Sequence, residues 1–84
     1  MNRITVRYFA SASAASGMNE DIVELDNGAT IADLVNHIEN QHGEGIRQIL
    51  KCSSLLLDEI VVLDRLSVIS PGSTVDVLPP FAGG

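Results

Sequence analysis

The hydrophobic period of this chain changes twice. Residues 3–9 alternate, with Ile4, Val6 and Tyr8 on one face and Arg3, Thr5, Arg7 and Phe9 on the other, which is the two-residue period of a strand. Ile31, Leu34, Val35 and Ile38 then fall at helical spacing. Thr30 stands before them with Asp33 three residues on, a capping-box pattern that opens a helix. Thr74 to Leu78 alternate again, Val75 and Val77 against Thr74, Asp76 and Leu78. A chain that reads strand, helix, strand has to bury one face of a sheet under a helix.

The remaining segments fill in that frame. Ala10 to Ser16 is a run of Ala and Ser closing at Gly17, expected as a loop or a weak helical turn. Asp21 to Leu25 is a short second strand bounded by Asp26-Asn27-Gly28, a turn signal, and is expected to join the first strand as a hairpin. The helix is predicted over residues 31–41, stopping before Gly43, and Ile46, Ile49 and Leu50 suggest another short helical turn. The apolar runs Ser53 to Leu57 and Ile60 to Leu63 predict a second hairpin across Asp58-Glu59, and Pro71-Gly72 a turn into the last strand. The expected fold class is α+β, a mixed sheet with one main helix packed across it.

At 84 residues the chain supports one modest core and leaves little room for a deep catalytic cleft. That favours a binding module, a carrier or a subunit over a free-standing enzyme. The net charge is −6, and the five basic residues are scattered along the chain. Nucleic-acid binders need a basic face, so basic or apolar protein surfaces are the expected partners instead. Tyr8, Phe9 and Phe81 are the only aromatic residues, too few for a base-stacking platform. Cys52 is the single cysteine, expected as a half-buried structural thiol. His37 and His42 lie five residues apart and point to different sides of a helix; both are expected to face solvent, and no metal site is expected. No apolar run is long enough to span a bilayer, and the expected location is the cytoplasm, away from membranes.

The sequence closes on Leu78-Pro79-Pro80-Phe81-Ala82-Gly83-Gly84. Pro79 and Pro80 lack backbone donors, so the last strand has to stop pairing there, and each pushes its predecessor toward extended geometry. The chain therefore divides into a body, residues 1–78, and a flexible tail, residues 79–84. Six residues reach at most about 20 Å, enough to enter another protein's pocket. Two glycines make a thread with no Cβ, suited to a narrow channel. A carboxylate on Gly84 is ionised at neutral pH and is a poor electrophile until activated, for example by adenylation. Nothing in the sequence resembles a phosphate-cradling Gly-rich loop. The ATP is therefore expected to be used by an activating partner, with no cofactor bound by this chain.

Three stretches carry a resemblance: Val6-Arg7-Tyr8-Phe9-Ala10, Thr30-Ile31-Ala32-Asp33-Leu34, and Pro71 to Gly84 with its Pro-Pro-x-x-Gly-Gly ending. On these the chain resembles the small ubiquitin-like sulfur carriers of the MoaD/ThiS family, most closely its molybdopterin synthase small subunits. Asp58-Glu59 stands where that group commonly has Asn-Gly. The resemblance implies a β-grasp fold. It also implies a cycle in which an E1-like adenylyltransferase activates Gly84 and a sulfurtransferase supplies sulfur. The resulting thiocarboxylate would enter the large subunit of molybdopterin synthase and donate sulfur to a pterin precursor. Such a chain is no enzyme on its own. The resemblance implies partner contacts at Phe9, at the apolar stretch Leu55 to Leu63, and at Pro79, Pro80, Phe81, Ala82 and Gly83. For Phe9 a second reading stays open, a core aromatic on a two-sided strand. The alternatives are a carrier for thiamine or cysteine biosynthesis, a modifier whose Gly84 forms isopeptide bonds, and a plain interaction domain.

Overall fold

The computed structural model describes residues 1–80; Phe81, Ala82, Gly83 and Gly84 lie outside the described residues. Within it the order is β1 (Asn2–Tyr8), α1 (Ser11–Ser16), β2 (Glu20–Leu25), α2 (Ile31–His42), α3 (Glu44–Cys52), β3 (Ser54–Leu57), β4 (Ile60–Val61) and β5 (Thr74–Leu78). The strands form one mixed sheet in the order β2-β1-β5-β3-β4. β5 pairs parallel with β1 and antiparallel with β3. The α+β class and the β-grasp arrangement expected from the sequence are both present.

β1 shows the cleanest link from sequence to packing. Ile4, Val6 and Tyr8 are buried under the helices, while Arg3 and Phe9 are exposed, as strict alternation requires. α2 is set by the predicted capping box. The Thr30 hydroxyl accepts the Asp33 N–H at 3.3 Å, and the Asp33 carboxylate accepts the Thr30 N–H at 2.9 Å. Ile31, Leu34, Val35 and Ile38 lie on its buried face, and with Ile46 and Leu50 of α3 they cover the inner side of the sheet. Gly43, at φ 87°, ends α2 and leads directly into α3; a positive φ there is why glycine occupies the junction.

The structure corrects several expectations. α3 is a nine-residue helix rather than a short turn, because Ile46 and Leu50, four apart, both reach the core. β1 and β2 are antiparallel neighbours, but their connection contains α1, so they are not a tight hairpin. α1 buries Ala12 and closes on Gly17 at φ 76°; small side chains let this short helix lie close to its neighbours. β4 is only two residues long, and residues 62–70 run on as a loop. That loop is tied to the start of α2 by Ile31 N–H to Ser67 O at 3.0 Å and Ala32 N–H to Arg65 O at 2.8 Å.

The predicted β3–β4 hairpin is present with a two-residue turn. Asp58 and Glu59 both hold positive φ, 48° and 72°, the pattern that usually calls for Asn-Gly. A left-handed non-glycine residue costs about 1–2 kcal/mol. Here Asp58 offsets part of that by stapling the turn to β5. Its N–H donates to the Thr74 carbonyl at 2.8 Å, and its carboxylate accepts the Thr74 N–H at 2.9 Å.

Candidate functional site

Three of the residues singled out in the sequence, Phe9, Pro79 and Pro80, lie at one end of the sheet. β5 lies at the centre of the strand order, so Pro79 and Pro80 continue from the middle of the sheet and not from an edge. Tyr8 stands opposite Val77 and Ser54 opposite Leu78. The Phe9 N–H donates to the Val77 carbonyl at 3.2 Å, which fixes Phe9 beside the last turn of backbone before the prolines. Pro79 is half-buried and Pro80 exposed. Phe9, Pro79 and Pro80 are thus brought together, while the other predicted tail positions, Phe81, Ala82, Gly83 and the Gly84 carboxylate, lie outside the described residues.

Of the two readings of Phe9, the core aromatic falls: its ring side of β1 faces out, and the residue is 39% exposed. The apolar stretch from Leu55 to Leu63 does not form a single face. Leu55 is in the core and Leu57 packs against it, whereas Ile60, Val61 and Leu63 are exposed along the β4 edge. Two further expectations are corrected. Cys52 is exposed at the last residue of α3, not half-buried, because Ile46, Ile49 and Leu50 define the packed side of that helix. His42 is half-buried, not solvent-facing. Its ring meets Tyr8 edge-on, with centroids 5.9 Å apart and planes at 83°. His37 is exposed.

One pair escaped the sequence reading. Asp76 lies on the outer face of the central strand yet is buried. Arg7, its register partner on β1, covers it with a fork, Nε to Oδ1 at 2.6 Å and Nη2 to Oδ2 at 2.8 Å. This hydrogen-bonded pairing, with Glu59 and Glu20 nearby, raises the Arg7 pKa further above its ordinary value. An acid in the middle of an otherwise apolar strand was the available signal. Its partner becomes visible only once the parallel β1–β5 register is known.

Tyr8 closes the inner side of this end. Its hydroxyl and His42 Nε2 are buried and have no hydrogen-bond partner among the described residues. Burial, with a smaller contribution from the charge of Asp21, pushes the Tyr8 phenol up to about 12. Because the folded state resists forming the phenolate, stability is flat below pH 10, the ordinary tyrosine value. It then falls as pH rises from 10 to 12, by about 2–3 kcal/mol in total. Tyr8→Phe is expected to abolish that alkaline loss while leaving the neutral-pH thermal midpoint no lower than in the parent chain. Melting curves of both proteins between pH 8 and 12 check this; a parent-like alkaline slope in the variant refutes it.

Among the described residues no group of three or more His, Cys, Asp or Glu is placed to hold a metal ion. No described helix is long and apolar enough to cross a membrane. Among the described residues this end offers an exposed aromatic ring and two consecutive prolines that continue the central strand.

Comparison with known proteins agrees with that geometry. The model of the ThiS family matches residues 6–84. The molybdopterin synthase sulfur carrier subunit of Chlamydomonas reinhardtii is 32% identical over 83 residues, covering 98% of this chain and 99% of its own. A putative molybdopterin converting factor subunit 1 from Pyrococcus furiosus superposes with a TM-score of 0.86 at 24% identity, over 95% of this chain and 99% of that one. The complex of subunits 1 and 2 of the Helicobacter pylori molybdopterin-converting factor contains a chain that superposes with a TM-score of 0.72. That chain is 17% identical, with coverage of 98% and 99%.

Proposed function

The chain belongs to the ThiS family, and from that premise we propose that it is the sulfur carrier subunit of a molybdopterin synthase, with Gly84 as the loaded residue. The observation that carries this reading is the end-to-end match to a curated sulfur carrier subunit, 98% of this chain on 99% of that one. The family match runs to residue 84 and so takes in the Pro-Pro-Phe-Ala-Gly-Gly close as well as the body.

The chemistry follows from the carboxylate. An E1-like adenylyltransferase joins the Gly84 carboxylate to the α-phosphate of ATP, releasing pyrophosphate. The outer sulfur of a persulfide on the sulfurtransferase then attacks the acyl carbon and AMP leaves, giving an acyl disulfide. A second thiol attacks the sulfurtransferase sulfur of that bond, forms a new disulfide with it and releases the acyl sulfur. The product is a thiocarboxylate, which is ionised at neutral pH and a far better nucleophile than the carboxylate it replaces. In the large synthase subunit the sulfur is passed to a pterin precursor, and water restores the carboxylate. In this cycle the chain acts as a substrate that docks, and the partners supply the nucleotide chemistry. Phe9, Pro79 and Pro80 form the described part of the docking surface, and Phe81, Ala82 and Gly83 complete it as the thread. The subunit 1 and 2 complex from Helicobacter pylori supports the choice of a large subunit as the partner.

Intact-mass analysis after co-expression with the adenylyltransferase and sulfurtransferase tests the proposal. The expected result is an oxygen-to-sulfur mass gain confined to the peptide that ends in Gly83-Gly84. Lysine conjugates of the chain with no such gain would instead make it a modifier. Transfer to a pterin precursor in the presence of the large subunit separates the molybdopterin route from carriers serving thiamine or cysteine synthesis.

A further inference from the structure

The Arg7–Asp76 pair lies on the same outer face as Phe9 and is not used by the carrier cycle. Asp76 is nearly sealed, its side chain 7% exposed, whereas Arg7 is 43% exposed, so the guanidinium forms the outer cover of the carboxylate. A two-point fork fixes the plane of a guanidinium as a single contact does not. The Cζ of this immobilised group lies 5.8 Å from the centroid of the Phe9 ring, within the range of a cation–π contact. Phe9 is otherwise an exposed aromatic at the last position before Ala10, which holds a positive φ of 50°. Its backbone is fixed by the bond to Val77, and Arg7 stands over its ring.

We propose that Arg7, clamped by Asp76, is a positioning residue that holds the Phe9 ring in its docking orientation at the tail-bearing end of the sheet. The inference rests on the carrier reading above, in which that end meets the large synthase subunit. Its chemistry separates two roles for Arg7. If only the positive charge mattered, lysine would serve. If the fork matters, lysine fails, because an ammonium is a point charge that cannot grip both carboxylate oxygens in one plane.

The chain contains no tryptophan, so a Phe9→Trp variant places a single reporter at the ring. In that background Arg7→Lys is expected to increase the fast local component of the fluorescence anisotropy decay, with the thermal midpoint followed in parallel. In the Phe9 background, Arg7→Lys and the pair Arg7→Met with Asp76→Asn are expected to weaken binding to the large subunit. The loss should be about two- to fivefold, the size of an exposed cation–π contact. The Met–Asn pair removes the buried charge along with its partner, so it remains informative where Arg7→Met alone would unfold. Phe9→Ala is the reference and should weaken binding by about tenfold or more, as an anchor residue does. Unchanged anisotropy in the Arg7→Lys variant, or parent-like binding of the Arg7 variants beside a weakened Phe9→Ala, overturns the proposal. Binding that is unaffected by Phe9→Ala removes this end from the docking surface and overturns it too. The sulfur-loading mass test is independent of all three measurements, so failure of the carrier reading is recognised separately.

Discussion

Deleting Gly84, or adding one residue after it, is expected to abolish sulfur transfer while leaving the thermal midpoint of the domain unchanged. The reacting carbon belongs to the last residue of the proposed thread. One residue more or less moves that carbon by about 3.3–3.6 Å along an extended chain. A misplacement of 1 Å can cost about a hundredfold in rate, so either change should lower thiocarboxylate formation by at least that factor. The core cluster of the described residues runs from Ile4 to Val77, seven positions before Gly84 in the sequence, so the fold should be indifferent. Mass analysis after loading, beside a melting curve, checks both halves. Undiminished loading of either variant would sink the assignment of Gly84.

Leu34→Ala should have the largest effect on stability. Leu34 is fully buried at the centre of the α2 face that covers the sheet. Truncating such a leucine removes its transfer free energy and leaves a cavity, together about 2–5 kcal/mol. Small domains have about 5–15 kcal/mol in all, so this one change takes a large share. At about 4–8 °C per kcal/mol for a domain of this size, the midpoint should fall by about 8 °C or more. Urea unfolding followed by circular dichroism should give a lower midpoint with an unchanged slope. A midpoint within a few degrees of the parent would mean that the helix does not rest on the sheet as described.

What was legible in the sequence was local. The alternation of Ile4, Val6 and Tyr8, the capping box of Thr30 and Asp33, and the two-residue turn at Asp58-Glu59 each declare themselves within a few residues, and each is present in the structure. What stayed hidden depends on contacts between distant segments. The buried carboxylate of Asp76 makes sense only against Arg7, 69 residues away. Helical spacing shows which residues share a face but not how far a neighbouring strand reaches, so nothing near His42 in the sequence announces its contact with Tyr8. The exposure of Cys52 is hidden for a related reason: Ile46, Ile49 and Leu50 suggest only a short turn, and the phase of a helix cannot be read from one turn. At the site, the sequence leaves the exposure of Phe9 open. A residue at the end of a strand can face either way until the register is known.

The parallel pairing of β1 with β5 has a mechanical consequence. In a parallel pair the start of one strand and the end of the other lie at opposite ends of the ladder. A pull on the tail, opposed at the amino-terminal end of β1, therefore loads the β1–β5 hydrogen bonds together in shear instead of opening them one at a time. Because β3 holds the other side of β5, the strand that carries the tail is gripped from both flanks. In the proposed carrier cycle, a partner that pulls on the residues after Leu78 would work against this resistance before the body opens.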